Sequence, residues 1–219
     1  VPTEGESKRH AKDVYPDFAA LAASEREGKD FRVSVRPQRG ARIAVVAPHG
    51  GGIEPGTSEV AAAIAGKEYW LYSFEGLKRA GNGILHVTST RFDEPRLLNV
   101  LSEVDLVLTV HGEGSEGEAA FIGGEHRELL ERIIAALKDA GVAAKRHEDA
   151  ALSGTDSRNI CNRGRSGKGV QIELSEGLRR TFFSSLSARG RGRTTSAFEH
   201  FVRIVRETLS AAAGSSPHP

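Results

Sequence analysis

The chain has no methionine, one cysteine (Cys161) and one tryptophan, and aromatic residues make up only 6% of its 219 residues. One cysteine excludes an intramolecular disulfide, so the fold has to be held by a packed core and not by a cross-linked framework. No apolar run approaches the roughly 20 residues that span a bilayer, and the opening "VPTEGESKRHAKD" has no signal-like apolar segment. With Val1 first and no methionine anywhere, we expect that an initiator or a longer leader has been removed, which leaves a soluble chain and an open compartment, cytoplasmic or secreted. Net charge is missing too. Against 30 Lys+Arg stand 29 Asp+Glu, a formal balance of +1, so no bulk field draws the protein to nucleic acid or an anionic membrane. Any charged partner must be recognised locally.

What is present suits one globular domain. A hydrophobic content of 38% in a chain of this length can bury a real core. We expect the domain to span 14–212, with polar, flexible termini at 1–13 and 213–219. Strands are predicted at "FRVSV", "RIAVVA", "YWLYSF", "ILHVTS" (84–89), "DLVLTV", "AAFIG", "VAAKRH" and "GVQIEL". Several are too apolar to keep one wet face, which points to a sheet covered on both sides. Helices supply the cover. Leu130, Ile133, Ile134 and Leu137 recur at helical spacing before Gly141; Phe198, Phe201, Val202, Val205 and Leu209 form a second stripe after Ser196 and Glu199 in capping-box register; a third helix opens at Thr57 or Ser58. The expected fold class is α/β, a single domain with a mixed, mostly parallel β-sheet flanked by helices.

In such folds ligands gather beyond the carboxyl ends of the strands. His49 follows "AVVAP", His111 follows "LVLTV" and Glu173 lies within "GVQIEL", while Glu54 hangs from the glycine run after His49. Two imidazoles and a carboxylate leave a fourth position open for water, the usual arrangement at catalytic zinc. Gly50, Gly51 and Gly52 would let the backbone fold back tightly enough for Glu54 to meet an ion held by His49, after which Pro55 and Gly56 turn the chain into the helix. On spacing alone a histidine after a strand is as readily a structural residue as a ligand. Two other readings of the glycines fare worse: a phosphate loop needs a lysine where Thr57 stands, and the "HGGG" of esterases needs G-x-S-x-G, which "EGSEG" around Ser115 and "GRSGK" around Ser166 each miss by one glycine.

Taken together, "APHGGGIEPGTSE", "YSFEG", "LHVTST", "LTVHG", "FIGG", "NICNRG" and "VQIELSEGLRR" resemble the poly-γ-glutamate hydrolase family, the zinc-dependent, phage-type enzymes that cut capsular poly-γ-glutamate. The resemblance runs from about residue 14 to about residue 209, and its first motif is long and specific. It implies a metallocarboxypeptidase-like α/β fold, one zinc ion held by His49, Glu54 and His111, and Glu173 as the carboxylate that assists the attacking water. Zinc would act as a Lewis acid, and Glu173, desolvated between Ile172 and Leu174, would move the proton to the leaving amine. The implied substrate carries one free α-carboxylate per residue and needs cationic forks. "GTDSRNICNRG" offers Arg163 first and Asn159 second, with Arg158 and Asn162 beside them, in a loop similar to the carboxylate-binding loop of metallocarboxypeptidases.

The remaining residues divide between chemistry and packing. His86 either supports the site from a second layer or packs. Glu59 is an alternative ligand by spacing, but reads better as a first-turn helix acid. An ion pair with Arg179 is the structural alternative for Glu173. Cys161 has no neighbouring base and reads as a small buried thiol. "SARGRGR" (187–193) reads as a mobile connector. Two other functions stay open: a metalloamidase acting on small acyl-glutamates or γ-glutamyl cell-wall peptides, and a phage-derived, non-enzymatic nucleic-acid-binding protein using the arginine run. The second would bind with steep salt dependence and ignore chelators.

Overall fold

The computed structural model describes residues 13–149 and 152–214. Seven strands form one sheet: β1 (Phe31–Arg36), β2 (Ile43–Gly51), β3 (Trp70–Gly76), β4 (Leu106–Glu113), β5 (Ala120–Gly123), β6 (Ala144–Arg146) and β7 (Val170–Ser175). Their spatial order is β1-β3-β2-β4-β7-β5-β6. The pairs β3/β2, β2/β4, β4/β7 and β5/β6 are parallel, whereas β1/β3 and β7/β5 are antiparallel. The domain is therefore α/β with a mixed, mostly parallel sheet. All nine residues of β2 are buried, as an apolar central strand covered on both faces must be.

Six helices cover the sheet among the described residues: α1 (Phe18–Ser24), α2 (Thr57–Ala65), α3 (Pro95–Glu103), α4 (Arg127–Asp139), α5 (Glu176–Phe182) and α6 (Ser196–Gly214). Side chains alternate along a strand, and the sheet accordingly divides the core in two. Val45, Ala47, Leu108, Val110, Ile172 and Leu174 pack with α2, α4, α5 and α6. Ala44, Val46 and Val107 face the other way, onto Leu21 of α1, Leu97 and Leu101 of α3, and the Phe74–Phe92 aromatic pair. At about 1.5–3 kcal/mol for each large side chain removed from water, these two clusters are the cohesion that no disulfide supplies.

Local chemistry fixes the helix ends. Gly56, at φ 103°, occupies the left-handed region just before Thr57, where α2 begins. In α4 the stripe Leu129, Leu130, Ile133, Ile134 and Leu137 is buried, and the chain turns at Gly141 with φ 80°. The cap of α6 is one residue earlier than the Ser196 register predicts: the Thr195 hydroxyl accepts the Phe198 N–H at 3.4 Å.

Two expectations need correction. Residues 84–89 form no strand. Asn82–Leu85 is a 3-10 turn, and the following backbone groups are taken by other partners: Thr88 N–H donates to Asp13 at 2.8 Å, Val87 C=O accepts from His49 at 2.9 Å, and Ser89 C=O accepts from Ile160 N–H. The apolar alternation is real, since Leu85 and Val87 are fully buried, but no neighbouring strand is there to pair. The arginine run is not a loose connector either. Arg191 is only 9% exposed and donates to Glu59 at 2.8 Å and to the Leu186 carbonyl at 2.7 Å. Of the expected loose ends, 1–12 and 215–219 lie outside the described residues, while Asp13 is described and its carboxylate is held by His86, Thr88 and Arg91.

Candidate active site

Three adjacent central strands deliver three polar side chains to one place. His49 lies near the end of β2, His111 near the end of β4, and Glu173 on β7 is the direct sheet partner of His111. Glu173 shares its face with Gln171, while Ile172 and Leu174 point into the opposite core. The fourth group returns on a turn. Glu54 N–H donates to His49 C=O at 2.9 Å, and Thr57 Oγ1 donates to Glu54 C=O at 2.9 Å.

The glycines make that turn possible by two different means. Gly51 has φ 65°, and a Cβ there would lie 2.6 Å from the Gly76 carbonyl oxygen. Gly50 and Gly52 need no positive φ. They are glycine because a Cβ would meet Ser58 Cβ at 2.8 Å and Asn82 Nδ2 at 2.4 Å, respectively. Close packing on both flanks, with one left-handed residue between, is how the glycine run lets the chain fold back tightly.

The polar atoms then meet in an unusual way. His49 Nε2 faces the Val87 carbonyl at 2.9 Å; a carbonyl only accepts, so Nε2 carries a proton. In a neutral ring Nδ1 is consequently a bare lone pair. Yet Nδ1 faces Glu54 Oε1 at 2.9 Å and His111 Nδ1 at 3.2 Å. The donor atoms of His49, Glu54 and His111 all lie within 4.8 Å of one another, and all three residues are buried. Facing lone pairs of this kind are satisfied by a shared proton or by a metal ion. The second nitrogen of His49 bound to a carbonyl is also the usual outer support of a metal-ligating imidazole.

Electrostatics follow from the same geometry. Burial works against ionisation of Glu54, but the His49 charge and hydrogen bond, with His111 and His86 behind them, outweigh it and lower its pKa to about 2. Burial likewise opposes a His49 cation and is overcome by Glu54 and the Val87 carbonyl, so that pKa is raised. His86 stacks on His49 at 4.0 Å between ring centroids, and its Nδ1 meets Asp13 at 2.6 Å. Burial, then the charge of His49, pushes the His86 pKa down to about 4. Glu173 goes the other way: burial first, then the charges of Glu54 and Glu113, raises its pKa well above the carboxylate range. The direction is the expected one. Flanking Ile172 and Leu174 are not its source, because they face the helices.

Around these groups lies a cavity of about 100 Å³, lined also by His86, Thr88, Ser89, Thr90, Leu152, Asn159 and Gln171. Gln171 Nε2 donates to Glu173 Oε1 at 3.0 Å, and Glu173 Oε2 has no hydrogen-bond partner among the described residues. Arg179 does not pair with Glu173; its guanidinium donates to the carbonyls of Leu174, Pro55 and Glu113.

The structure does not bring the whole candidate set together. Asn159 lines the cavity, but its side chain is engaged by Gln171 Oε1 and Cys161 N–H. Asn162 is buried in a structural role, accepting from Glu125 and Gly169 N–H and donating to the Gly154 and Asp156 carbonyls. Arg158 is clasped by Asp156, and Arg163 is exposed; neither lines the cavity. Glu59 sits in the first turn of α2, bound to Arg191. Cys161 is buried and its pKa is pushed up by that burial, which fits packing and not nucleophilic chemistry.

The sequence reading missed Asp13, Ser89 and Gln171. Gln171 had a readable signal, two residues before Glu173 on the same strand and hence on its face. Asp13 and Ser89 had none, since they reach the site through chain crossings that spacing does not encode.

A family model for poly-γ-glutamate hydrolase matches residues 15–204. The chain belongs to that family. The UPF0714 protein YndL of Bacillus subtilis (strain 168) is 39% identical over 201 residues, covering 91% of this chain and 79% of YndL. The SPbeta prophage-derived UPF0714 protein YoqZ of the same organism is 37% identical over 213 residues, 94% of this chain and 77% of YoqZ. Among solved structures, a bacteriophage poly-γ-glutamate hydrolase superposes with a TM-score of 0.90 at 35% identity, covering 94% of this chain and all of that one. The zinc-free form of YndL gives 0.87 at 37% identity, with 92% and 99% covered. This hydrolase-family fold thus carries, at the ends of its central strands, a buried His-Glu-His group able to hold a metal ion beside a carboxyl of raised pKa. No helix among the described residues is long and apolar enough to cross a membrane.

Proposed function

We propose that the protein is a zinc-dependent hydrolase of the γ-glutamyl amide bonds of poly-γ-glutamate, with one zinc ion held by His49 Nδ1, Glu54 and His111 and with Glu173 as the proton carrier. The observation that carries the reading is the meeting of His49 Nδ1, Glu54 Oε1 and His111 Nδ1, three electron-pair donors buried around one point. Such a set fits zinc, which favours imidazole and carboxylate ligands in a three-protein-ligand site with one position open. The relative solved as a zinc-free form supports that choice of metal.

Zinc in such a site is a Lewis acid that activates water and polarises a carbonyl. The chain's own residues do the rest. Val87 C=O fixes the His49 tautomer, and Gly112 N–H holds Glu54 Oε2 at 2.8 Å. For His49 Nδ1 to serve as a ligand, the proton it shares with Glu54 would have to be released. Glu173, oriented by Gln171 through Oε1, keeps Oε2 for the attacking water, accepts its proton, and returns that proton to the departing amine nitrogen.

The test is elemental analysis of purified protein together with sizing of poly-γ-glutamate after incubation, before and after chelation. About one zinc per chain with chelator-sensitive shortening is the expected result. Zinc without shortening would transfer the site to small acyl-glutamates or γ-glutamyl cell-wall peptides. Failure to bind zinc on reconstitution would refute the ligand set.

A further inference from the structure

The cavity beside Glu173 has a deficiency that its substrate makes conspicuous. Poly-γ-glutamate carries a carboxylate on every residue, yet no lysine or arginine lines that cavity, which itself holds the carboxyl groups of Glu54 and Glu173. The cations lie on the other side of the glycine turn. There a separate cleft of about 670 Å³ is walled by Gly51, Gly52 and Pro55 and presents Arg32, Lys78, Arg79 and Arg191 against only two acids, Glu59 and Glu75. The turn is a partition common to both spaces, with Glu54 on one side and its neighbours Gly52 and Pro55 on the other.

We propose that this cleft is a second substrate subsite, which grips carboxylates of a poly-γ-glutamate segment lying beyond the scissile bond. The proposal rests on the hydrolase reading above and names where the polymer is held. Three observations support it. First, Arg191 is 9% exposed, lines the cleft, and spends its Nε on Glu59 and its Nη1 on the Leu186 carbonyl, leaving Nη2 with no partner among the described residues. A buried guanidinium with an unused donor is half of a bidentate carboxylate fork. Second, Arg79 is exposed on the same wall and forms no ion pair among the described residues. Arg32 is paired with Glu75, and Lys78 is held by Glu25 and Asp30, neither of which lines the cleft. Third, the arginine is wired to the turn. Arg191 binds Glu59 Oε1, Ser58 Oγ donates to Glu59 Oε2 at 3.0 Å, and Gly51 N–H donates to Ser58 Oγ at 3.2 Å. A carboxylate docked on Arg191 therefore bears on the backbone that presents Glu54.

The experiment separates this subsite from the hydrolase reading. Binding of poly-γ-glutamate is measured by calorimetry on chelator-stripped protein at low and high salt, for wild type, Arg79→Glu, Arg191→Gln and a control charge reversal far from the cleft, Arg132→Glu. We expect salt-sensitive binding that weakens about tenfold in the two cleft variants and stays within twofold of wild type in the control. With zinc restored, the ratio of kcat/KM on polymer to kcat/KM on a γ-glutamyl dipeptide should fall by a similar factor in the cleft variants. Arg79 is exposed, so Arg79→Glu keeps the test valid if Arg191→Gln does not fold. Equal polymer affinity in Arg79→Glu and wild type overturns the subsite while leaving the hydrolase intact, and so does displacement of polymer by DNA at equal charge. Absence of cleavage by wild-type holoenzyme overturns the hydrolase reading alone, because the binding arm needs no metal.

Discussion

Replacing Glu173 with glutamine isolates the proton carrier from everything around it. Glutamine has the same shape as the protonated carboxyl that the metal-free site favours, and Gln171 Nε2 can still donate to the Oε1 position it now meets at 3.0 Å. The fold should lose less than about 1 kcal/mol, a shift in Tm of no more than about 4 °C for a domain of this size. The proposed zinc ligands are untouched, so metal content should match wild type. Catalysis should not survive. General acid–base assistance is worth about 10²–10⁴ in rate, which at 1.36 kcal/mol per factor of ten is roughly 3–5 kcal/mol of barrier. The assay is initial-rate shortening of poly-γ-glutamate by the zinc-loaded variant, with zinc measured on the same sample. A rate within threefold of wild type would refute the assignment of the proton to Glu173. Loss of zinc would refute it differently, by making Glu173 a ligand.

Other substitutions probe the surrounding parts. His49→Ala and His111→Ala should each abolish zinc binding and hydrolysis, and His49→Ala should also destabilise the metal-free protein by about 3 kcal/mol in denaturant titration, because Glu54 keeps its burial and loses its main compensating partner. Gly51→Ala should cost about 1–3 kcal/mol and weaken metal binding, since it combines a φ of 65° with a Cβ 2.6 Å from the Gly76 carbonyl; an unchanged melting curve would count against that packing argument. Asp13→Ala removes the carboxylate 2.6 Å from His86 Nδ1, and because His86 reaches the site by stacking on His49 and not as a ligand, zinc affinity should fall by less than about tenfold; competition against a chromogenic chelator reads it. Arg163→Ala should leave kcat/KM on polymer within twofold of wild type, because the side chain is exposed and lies outside the cavity.

How much of this was readable before the structure depended on how local the determinant is. The β2 and β7 strands were legible because strands buried on both faces read as unbroken apolar runs, and α4 because five buried positions repeat on one face over 13 residues. His49, Glu54 and His111 were legible as a group because each stands at a strand end or on the tight turn that follows it. The short helices α1, α3 and α5, of 7, 9 and 7 residues, offer too few turns for a period to show. Residues 84–89 misled because strand-like alternation records burial and not pairing: Leu85 and Val87 are inside, but the Val87 carbonyl and the Thr88 N–H bond to the His49 and Asp13 side chains and the Ser89 carbonyl to Ile160 N–H, none of them the backbone of a strand. The arginines expected near "NICNRG" do not line the cavity, for a related reason. Asn159 and Asn162 are the polar residues that satisfy a buried loop, and a sequence does not distinguish satisfying a loop from gripping a ligand.

One feature of the sheet bears on how the enzyme acquires its metal. His49 and His111 follow the paired stretches Ile43–Val46 and Leu106–Thr109 of β2 and β4, strands buried throughout their central length, so the sheet itself sets where the imidazoles lie. In small zinc modules the ion is the nucleus of folding, and its removal is denaturation. Here loading and folding should be separable events, with the same circular dichroism spectrum before and after chelation as the check. The empty protein should be a folded, exchangeable receptor, stabilised by bound metal only through mass action, by about 4 kcal/mol when free ion exceeds Kd a thousandfold. Metal identity could then be set by whatever the surroundings supply after folding, and swapped without passing through the unfolded chain.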